Sequence, residues 1–190
     1  MRYLHALVAL VIVCTAAATE PGTSVYRNKE YGILLHVPSG AWICSVPYSG
    51  ANHGVALLLG TKDERLCKQS SGKRWVSVFA SYNVSDETKT LHQNLEWHCK
   101  NNSAGGVCGQ APVGLSVHGL RSETARLDYA DGSMEVYVVT QAGKPDPDFD
   151  PSVPSINYNV SLHTNAQNYD ADLEVFRAVL NNLKIAPGSH

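Results

Sequence analysis

Apolar and polar residues alternate along several stretches of the chain, which predicts a protein rich in β-strands. In residues 75–84, the side chains of Val76, Val78 and Ala80 fall on one side of an extended backbone, which makes this the clearest strand. Residues 55–60 are apolar throughout, as is typical of a strand buried on both faces. Further strand-like runs occupy residues 25–28, 31–37, 115–118, 122–130, 134–142 and 156–163, and Asp131-Gly132 predicts a hairpin turn between two of them.

Two stretches show helical spacing instead. Leu173, Phe176, Leu180 and Leu183 form one apolar stripe, which predicts a helix over residues 169–184. A second helix is expected after Ser85, a residue type that caps helix N-termini. Because strands outnumber helices and hairpins pair neighbours antiparallel, we expect an α+β fold, with helices packed on a central antiparallel sheet of about six strands.

The first eighteen residues have the pattern of a secretory signal peptide. Arg2 precedes a largely apolar run over residues 4–13, and Ala16-Ala17-Ala18 offers a cleavage point. The run is shorter than the about 20 residues that span a bilayer, which argues against an anchor. Lipidation at Cys14 would need a small residue before it, and Val13 stands there. We therefore expect a signal peptide at 1–18 and a single secreted or periplasmic α+β domain at 19–190.

Charge and cysteine content narrow the class of protein further. The formal net charge is −2, so nucleic acid and anionic membrane surfaces are not favoured partners, and no later apolar run is long enough for stable membrane insertion.

Four cysteines follow the leader, which predicts two disulfides in an oxidising compartment, although three pairings are possible. We favour the sequential pairs, Cys44 with Cys67 and Cys99 with Cys108, because a Gly- and Asn-rich loop separates the latter two. A metal site is the alternative, but no CxxC pair is present.

The opening of the predicted domain resembles that of the PsbP-like proteins, exported accessory and binding proteins. The resemblance rests on the segment Tyr31-Gly32-Ile33-Leu34-Leu35-His36-Val37-Pro38-Ser39-Gly40-Ala41-Trp42, and on a final strand followed by a helix that carries Phe176 and Leu180. It implies an α/β/α layered fold and a non-enzymatic role. The four cysteines and the inserted Ala41 depart from the family pattern, and no family metal ligand can be matched to this chain.

Two weak chemical motifs are present. Gly114-Leu115-Ser116-Val117-His118 approaches the nucleophile elbow of serine hydrolases, but His118 stands where a glycine is required, so a strand serine is the preferred interpretation. His92, Glu96 and Cys99 would share one face of the second helix, which suits a metal. A disulfide at Cys99 would prevent that use.

The loop over residues 143–155 is the predicted partner-binding element. Asp146, Asp148 and Asp150 alternate like the first ligands of a calcium loop, but Pro151 stands where the EF-hand requires glycine. The four prolines of this loop would hold it extended and reduce the entropy lost on docking. Phe149 lies at the centre of the loop. Three N-x-[ST] sequons, at Asn83, Asn101 and Asn159, suggest exposed positions.

These observations favour an exported, non-catalytic protein that binds another protein, for example an immunity or inhibitor protein of an exported partner. We expect no enzyme activity and no cofactor. A small-molecule or metal-ion (calcium) binding protein is the alternative, and a serine hydrolase using Ser116 is a weaker one.

Overall fold

Ten strands and three α-helices make up the described part of the protein. The computed structural model describes residues 24–44, 53–68, 74–102, 104–143 and 155–186. The strands are β1 (Val25–Asn28), β2 (Ile33–His36), β3 (Ala41–Ile43), β4 (Gly54–Leu59), β5 (Trp75–Tyr82), β6 (Val107–Gly109), β7 (Ser122–Asp128), β8 (Ser133–Ala142), β9 (Ile156–Asn165) and β10 (Leu183–Ile185). The helices are α1 (Glu64–Cys67), α2 (Leu91–Asn101) and α3 (Tyr169–Asn182).

The strands form two antiparallel sheets. The larger sheet has seven strands in the order β3-β4-β5-β9-β8-β7-β6, and the smaller has three in the order β1-β2-β10. In the large sheet β5, β9 and β8 lie side by side, and β9 is paired along its length with both neighbours. The β7–β8 hairpin turns at Gly132, whose φ of 81° is a conformation that glycine adopts without strain.

One face of the large sheet carries the main core. The even-numbered side chains of β5 and β9, such as Val78 and Val160, are buried against Phe176 and Leu180 of α3 and against Ile33 and Leu35 of the small sheet. Burial of these side chains removes a continuous apolar surface from water, which is the main stabilising contribution to a fold of this size.

The opposite face of the large sheet is covered only in part. Helix α2 begins with a capping box in which Thr90 and Gln93 satisfy each other's backbone N–H groups. Leu91, Leu95 and Cys99 of α2 pack on a second, smaller cluster formed by Ala125 and Leu127 of β7 and by Tyr137 and Val139 of β8. Because α2 sits over β7 and β8, the same face of β5 and β9 is left open.

The predicted α+β class is confirmed, with α3 and α2 on opposite faces of a sheet. The prediction of about six strands was too low, because β3, β6 and β10 have three residues each and are too short to show a period.

The predicted strand at 115–118 is wrong, since that segment is a loop. Ser85 caps a short 3₁₀ turn, and Thr90 caps α2. The helix predicted after Ser85 is present as α2. The helix predicted over residues 169–184 is present as α3, but it ends at Asn182 because Leu183 begins β10.

Both sequential disulfides are formed. Cys44 is bonded to Cys67 and Cys99 to Cys108, so the second bond ties the end of α2 to β6. The predicted signal peptide at 1–18 lies outside the described residues. Within the described ranges, no helix has the length and apolar character needed to cross a bilayer.

Candidate functional site

A groove of about 1080 Å³ lies on the open face of the large sheet, between α2 and strands β5 and β9. Its floor is built by alternation, because odd-numbered residues of β5 and β9 face away from the main core. The sheet register aligns these floor residues in rows: Trp75, His163 and Glu135; Ser77, Ser161 and Tyr137; Phe79 and Asn159; Ser81 and Asn157.

The groove wall comes from α2 and from the β7–β8 hairpin. Helix α2 contributes Asn94, Trp97 and His98, and the hairpin contributes Tyr129 and Asp131. Trp97 is 44% exposed at the rim. The walls therefore combine aromatic rings with amides and carboxylates.

Glu135 is the most deeply buried charge of the groove. Its side chain is 5% exposed, and one carboxylate oxygen, Oε2, accepts a hydrogen bond of 2.8 Å from the Tyr129 hydroxyl. The other oxygen, Oε1, lies 3.3 Å from His98 Nε2 and 3.6 Å from His163 Nε2. The contact between His98 Nε2 and Glu135 Oε1 is within ion-pair distance, but it does not have the geometry of a hydrogen bond. Both oxygens of Glu135 are thus engaged by groups of the protein.

This environment sets the protonation of Glu135. Burial is the largest influence and on its own would raise the pKa of the carboxyl. The imidazoles of His98 and His163 and the Tyr129 hydroxyl together outweigh it, so the pKa of Glu135 lies below its ordinary value. Burial and the nearby Glu135 in turn raise the pKa of Tyr129 and of Tyr137. At neutral pH the groove therefore contains an ionised carboxylate beside two protonated phenols.

Ser161 and His163 lie at the centre of the floor, but their geometry is not that of a catalytic triad. His163 Nε2 is 3.2 Å from Ser161 Oγ and 3.6 Å from Glu135 Oε1, so one nitrogen faces both the hydroxyl and the carboxylate. In a catalytic triad one ring nitrogen of the histidine faces the serine hydroxyl and the other faces the carboxylate. Ser161 Oγ is also 2.7 Å from Ser77 Oγ. Because β9 is paired on both sides, its backbone N–H groups serve the sheet and do not form an oxyanion hole.

Tyr137 connects the sheet to α2. Its hydroxyl lies 2.6 Å from Asn159 Oδ1 on β9 and 3.2 Å from Asn94 Oδ1 on α2. Its ring stacks on the His98 imidazole, with centroids 3.7 Å apart and planes 5° from parallel. These contacts fix the position of α2 over the sheet, and with it the width of the groove.

The predicted chemical motifs are not brought into this groove. Ser116 is exposed in a loop, so the nucleophile elbow is absent there. His92 is 70% exposed and lies 3.6 Å from Glu96, while Cys99 is in a disulfide and does not serve as a thiolate ligand. Across the ranges that the structure describes, no group of three or more His, Cys, Asp or Glu side chains has the arrangement of a metal site.

The predicted partner-binding residues Asp146, Asp148, Phe149 and Asp150 lie outside the described residues, so their role stays a prediction. Two of the three sequons are not exposed as expected. Asn83 is 3% exposed, and its Nδ2 donates to the Lys89 carbonyl and to Ser155 Oγ. Asn159 lies in the groove floor.

The groove residues were missed at the level of sequence, although a signal was present. In β9 the residues Asn157, Asn159, Ser161 and His163 alternate with apolar ones, so the strand has one polar face. Glu135 interrupts an otherwise apolar run of β8. A charge inside an apolar strand is costly unless it has partners, and that cost marks it as part of a polar site.

Comparisons with known proteins add a likeness of fold. No protein-family model matches the chain, and no curated protein matches it. Among solved structures, the chain is similar to the solution structure of cyanobacterial PsbP (CyanoP) from Synechocystis sp. PCC 6803, with 8% sequence identity and a TM-score of 0.43. The match covers 92% of this chain and 99% of that chain. A likeness this distant assigns no function to the groove.

Proposed function

We propose that the protein is an exported, non-catalytic binding protein whose groove takes a small polar molecule. The groove itself carries the proposal: it has about 1080 Å³ of space on the sheet face that α2 leaves open. This volume is slightly larger than the about 300–1,000 Å³ typical of ligand sites. Its lining combines aromatic rings with a few convergent polar groups, which is the usual composition of such a site.

The geometry around Ser161 supports binding rather than catalysis. A nucleophilic serine needs a base that is oriented by a third group, and here a single nitrogen of His163 faces both Ser161 and Glu135. Ser116, the other candidate nucleophile, is exposed in a loop that lacks the strand-to-helix turn of a nucleophile elbow. These two arrangements support the non-catalytic part of the proposal.

Export is supported by the two disulfides. Such bonds form and persist in oxidising compartments and are rare in the cytosol. The predicted signal peptide at 1–18 points to the same destination. An exported binding protein with a preformed groove would capture its ligand outside the reducing interior of the cell.

A ligand panel tests the proposal. Thermal denaturation of the purified protein is followed with neutral sugars, organic cations, carboxylates, phosphate, calcium and zinc. Ser77→Phe places a ring in the middle of the groove floor, and Ser116→Phe makes the same change in an exposed loop as a matched control. We expect at least one compound to raise the melting temperature of the native protein and of S116F but not of S77F. Failure of every compound, or equal effects on S77F, would contradict the proposal.

A protein partner at the acidic loop is the second candidate, as for an immunity or inhibitor protein. It is favoured by the three aspartates and four prolines of residues 143–155. Replacing Asp146, Asp148 and Asp150 with alanine should weaken capture of a partner purified from the exported fraction of the same organism and leave the melting temperature nearly unchanged. Unchanged capture would exclude the loop.

A further inference from the structure

The interior of the groove offers a ligand no charge without a partner, and the one exposed charge of its described lining is Asp131. Among the described residues that line the groove there is no Lys or Arg, and its imidazoles, those of His98 and His163, already face Glu135, so an anionic ligand finds no available countercharge. Of its two carboxylates, Glu135 is engaged at both oxygens, by Tyr129 and by two imidazoles. Asp131 lies at the exposed edge of the lining and accepts hydrogen bonds from the backbone N–H and the hydroxyl of Ser133 through Oδ1 alone. An organic cation would have to displace these contacts to pair with Glu135. The interior of the groove therefore favours a ligand without net charge.

Two amide side chains in the groove have hydrogen-bonding capacity that the protein does not use. Asn94 and Asn159 meet the single hydroxyl of Tyr137, and no other side-chain hydrogen bond of either amide occurs within the described ranges. Each amide has an acceptor oxygen and a two-proton donor nitrogen. Whichever way the Asn94 amide is turned, one of its polar atoms has no partner in the protein and is reached by solvent, although the residue is only 5% exposed. A ligand hydroxyl that replaces water there supplies the missing partner.

Aromatic rings lie along the groove beside these polar groups. Trp75 lies at one end of the floor, Phe79 further along β5, and Trp97 on the rim. The face of an aromatic ring carries partial negative charge and attracts the polarised C–H groups of a ligand. From Trp75 to Ser81 the floor extends about 20 Å, given the rise of about 3.3 Å per strand residue. An elongated ligand would contact several rings in succession.

We infer that the groove binds an uncharged oligosaccharide, an inference that rests on the groove being the binding site proposed above. Sugar hydroxyls donate and accept hydrogen bonds at once, which matches adjacent amide donors and acceptors such as those of Asn94 and Asn159. The C–H faces of pyranose rings match the aromatic surfaces of Trp75 and Trp97. The length and volume of the groove accommodate several sugar units rather than one.

Isothermal titration calorimetry of the full mature chain tests this inference. The uncharged probes are maltotriose, cellotriose and chitotriose; the charged probes are choline, spermidine and a galacturonic acid trimer. Trp97→Ala removes an exposed ring and should leave the fold intact, whereas Trp42→Ala removes a tryptophan outside the groove lining. We expect at least one uncharged trisaccharide to bind, with affinity reduced about tenfold in W97A and unchanged in W42A. A melting temperature for each variant confirms folding.

The outcomes separate this inference from the proposed function. Binding of choline, spermidine or the acidic trimer that S77F abolishes, without binding of any uncharged trisaccharide, would overturn the saccharide inference and leave the groove as the binding site. Trisaccharide binding that neither S77F nor W97A weakens would place the sugar elsewhere and overturn both statements. No binding by any probe would also overturn both.

Discussion

His98 of α2 and Tyr137 of β8 stack face to face, with ring centroids 3.7 Å apart and ring planes 5° from parallel. The same imidazole approaches Glu135, and the same phenol holds Asn94 and Asn159. The stack therefore links the helix, the buried carboxylate and the groove floor. It determines how closely α2 approaches the open half of the sheet.

Removing His98 should loosen this link. His98→Ala loses the stack and the approach to Glu135, and we expect the free energy of unfolding to fall by about 1–2 kcal/mol, since aromatic pairs contribute about 0.5–1.5 kcal/mol beyond their buried area. His118→Ala, in an exposed loop, is the matched control and should change stability by less than about 0.5 kcal/mol. Urea denaturation measures both. Equal effects of the two changes would show that the stack does not stabilise α2.

Glu135 should make stability depend on pH. Its pKa is lower in the folded protein than in the unfolded chain, so its ionised form stabilises the fold above the ordinary pKa, and this contribution is lost as pH falls through the folded value. At pH 7, Glu135→Gln should lower the free energy of unfolding by about 1–3 kcal/mol. The difference from the native protein should shrink below about pH 4, where the native carboxyl takes up its proton. A difference that stays constant from pH 7 to pH 3 would contradict this account.

Asp172, which forms a buried ion pair with Arg74 at the start of α3, should contribute more to the free energy of unfolding than the exposed Asp170 of the same helix. Asp172 is 4% exposed, lies 3.3 Å from Arg74 and accepts a hydrogen bond of 2.5 Å from Thr164. Asp172→Asn leaves the Arg74 charge without its partner, and we expect a loss of about 3 kcal/mol. Asp170→Asn, in the exposed first turn of the same helix, should cost about 0.5 kcal/mol. Guanidinium denaturation of both variants measures the two losses in free energy of unfolding, and losses of similar size would contradict this prediction.

The two disulfides should stabilise the fold unequally. Both restrict the unfolded chain, and the restriction grows with the length of the closed loop, which is 23 residues for Cys44–Cys67 and 9 for Cys99–Cys108. Replacing each pair with serine should cost about 2–4 kcal/mol, with the longer loop costing about 0.8 kcal/mol more. Chemical denaturation of the two double variants gives the comparison. A larger loss for Cys99–Cys108 would mean that its contacts with α2 outweigh loop entropy.

The strands of the main core could be predicted from the sequence because burial on one face imposes a period of two. Trp75–Tyr82 and Ile156–Asn165 show this alternation over eight and ten residues. The stripe of Leu173, Phe176 and Leu180 likewise predicts α3. Elements of three residues, such as β3 and β6, contain too few positions to show any period. The segment 115–118 has strand-like residues, but Leu115 and Val117 are buried in a loop that packs on α3.

The groove could be predicted only in part. The polar face of β9 can be seen in the alternation of Asn157, Asn159, Ser161 and His163. That α2 covers β7 and β8 but not β5 and β9 depends on long-range packing of Leu91 and Leu95 against Leu127. The meeting of Glu135 with His98 likewise joins residues that are far apart in sequence, and local patterns do not reveal it.

The most direct test of the account is a two-dimensional ¹H–¹⁵N NMR titration with maltotriose, cellotriose and chitotriose. The side-chain amide signals of Asn94 and Asn159 and the indole signal of Trp97 report on the groove, while the amide of Asn182 and the indole of Trp42 report on sites outside its lining. The account predicts that at least one trisaccharide shifts the three groove signals in a saturable manner and leaves the two reference signals in place. Unchanged groove signals with all three sugars, or shifts confined to Asn182 and Trp42, would contradict it.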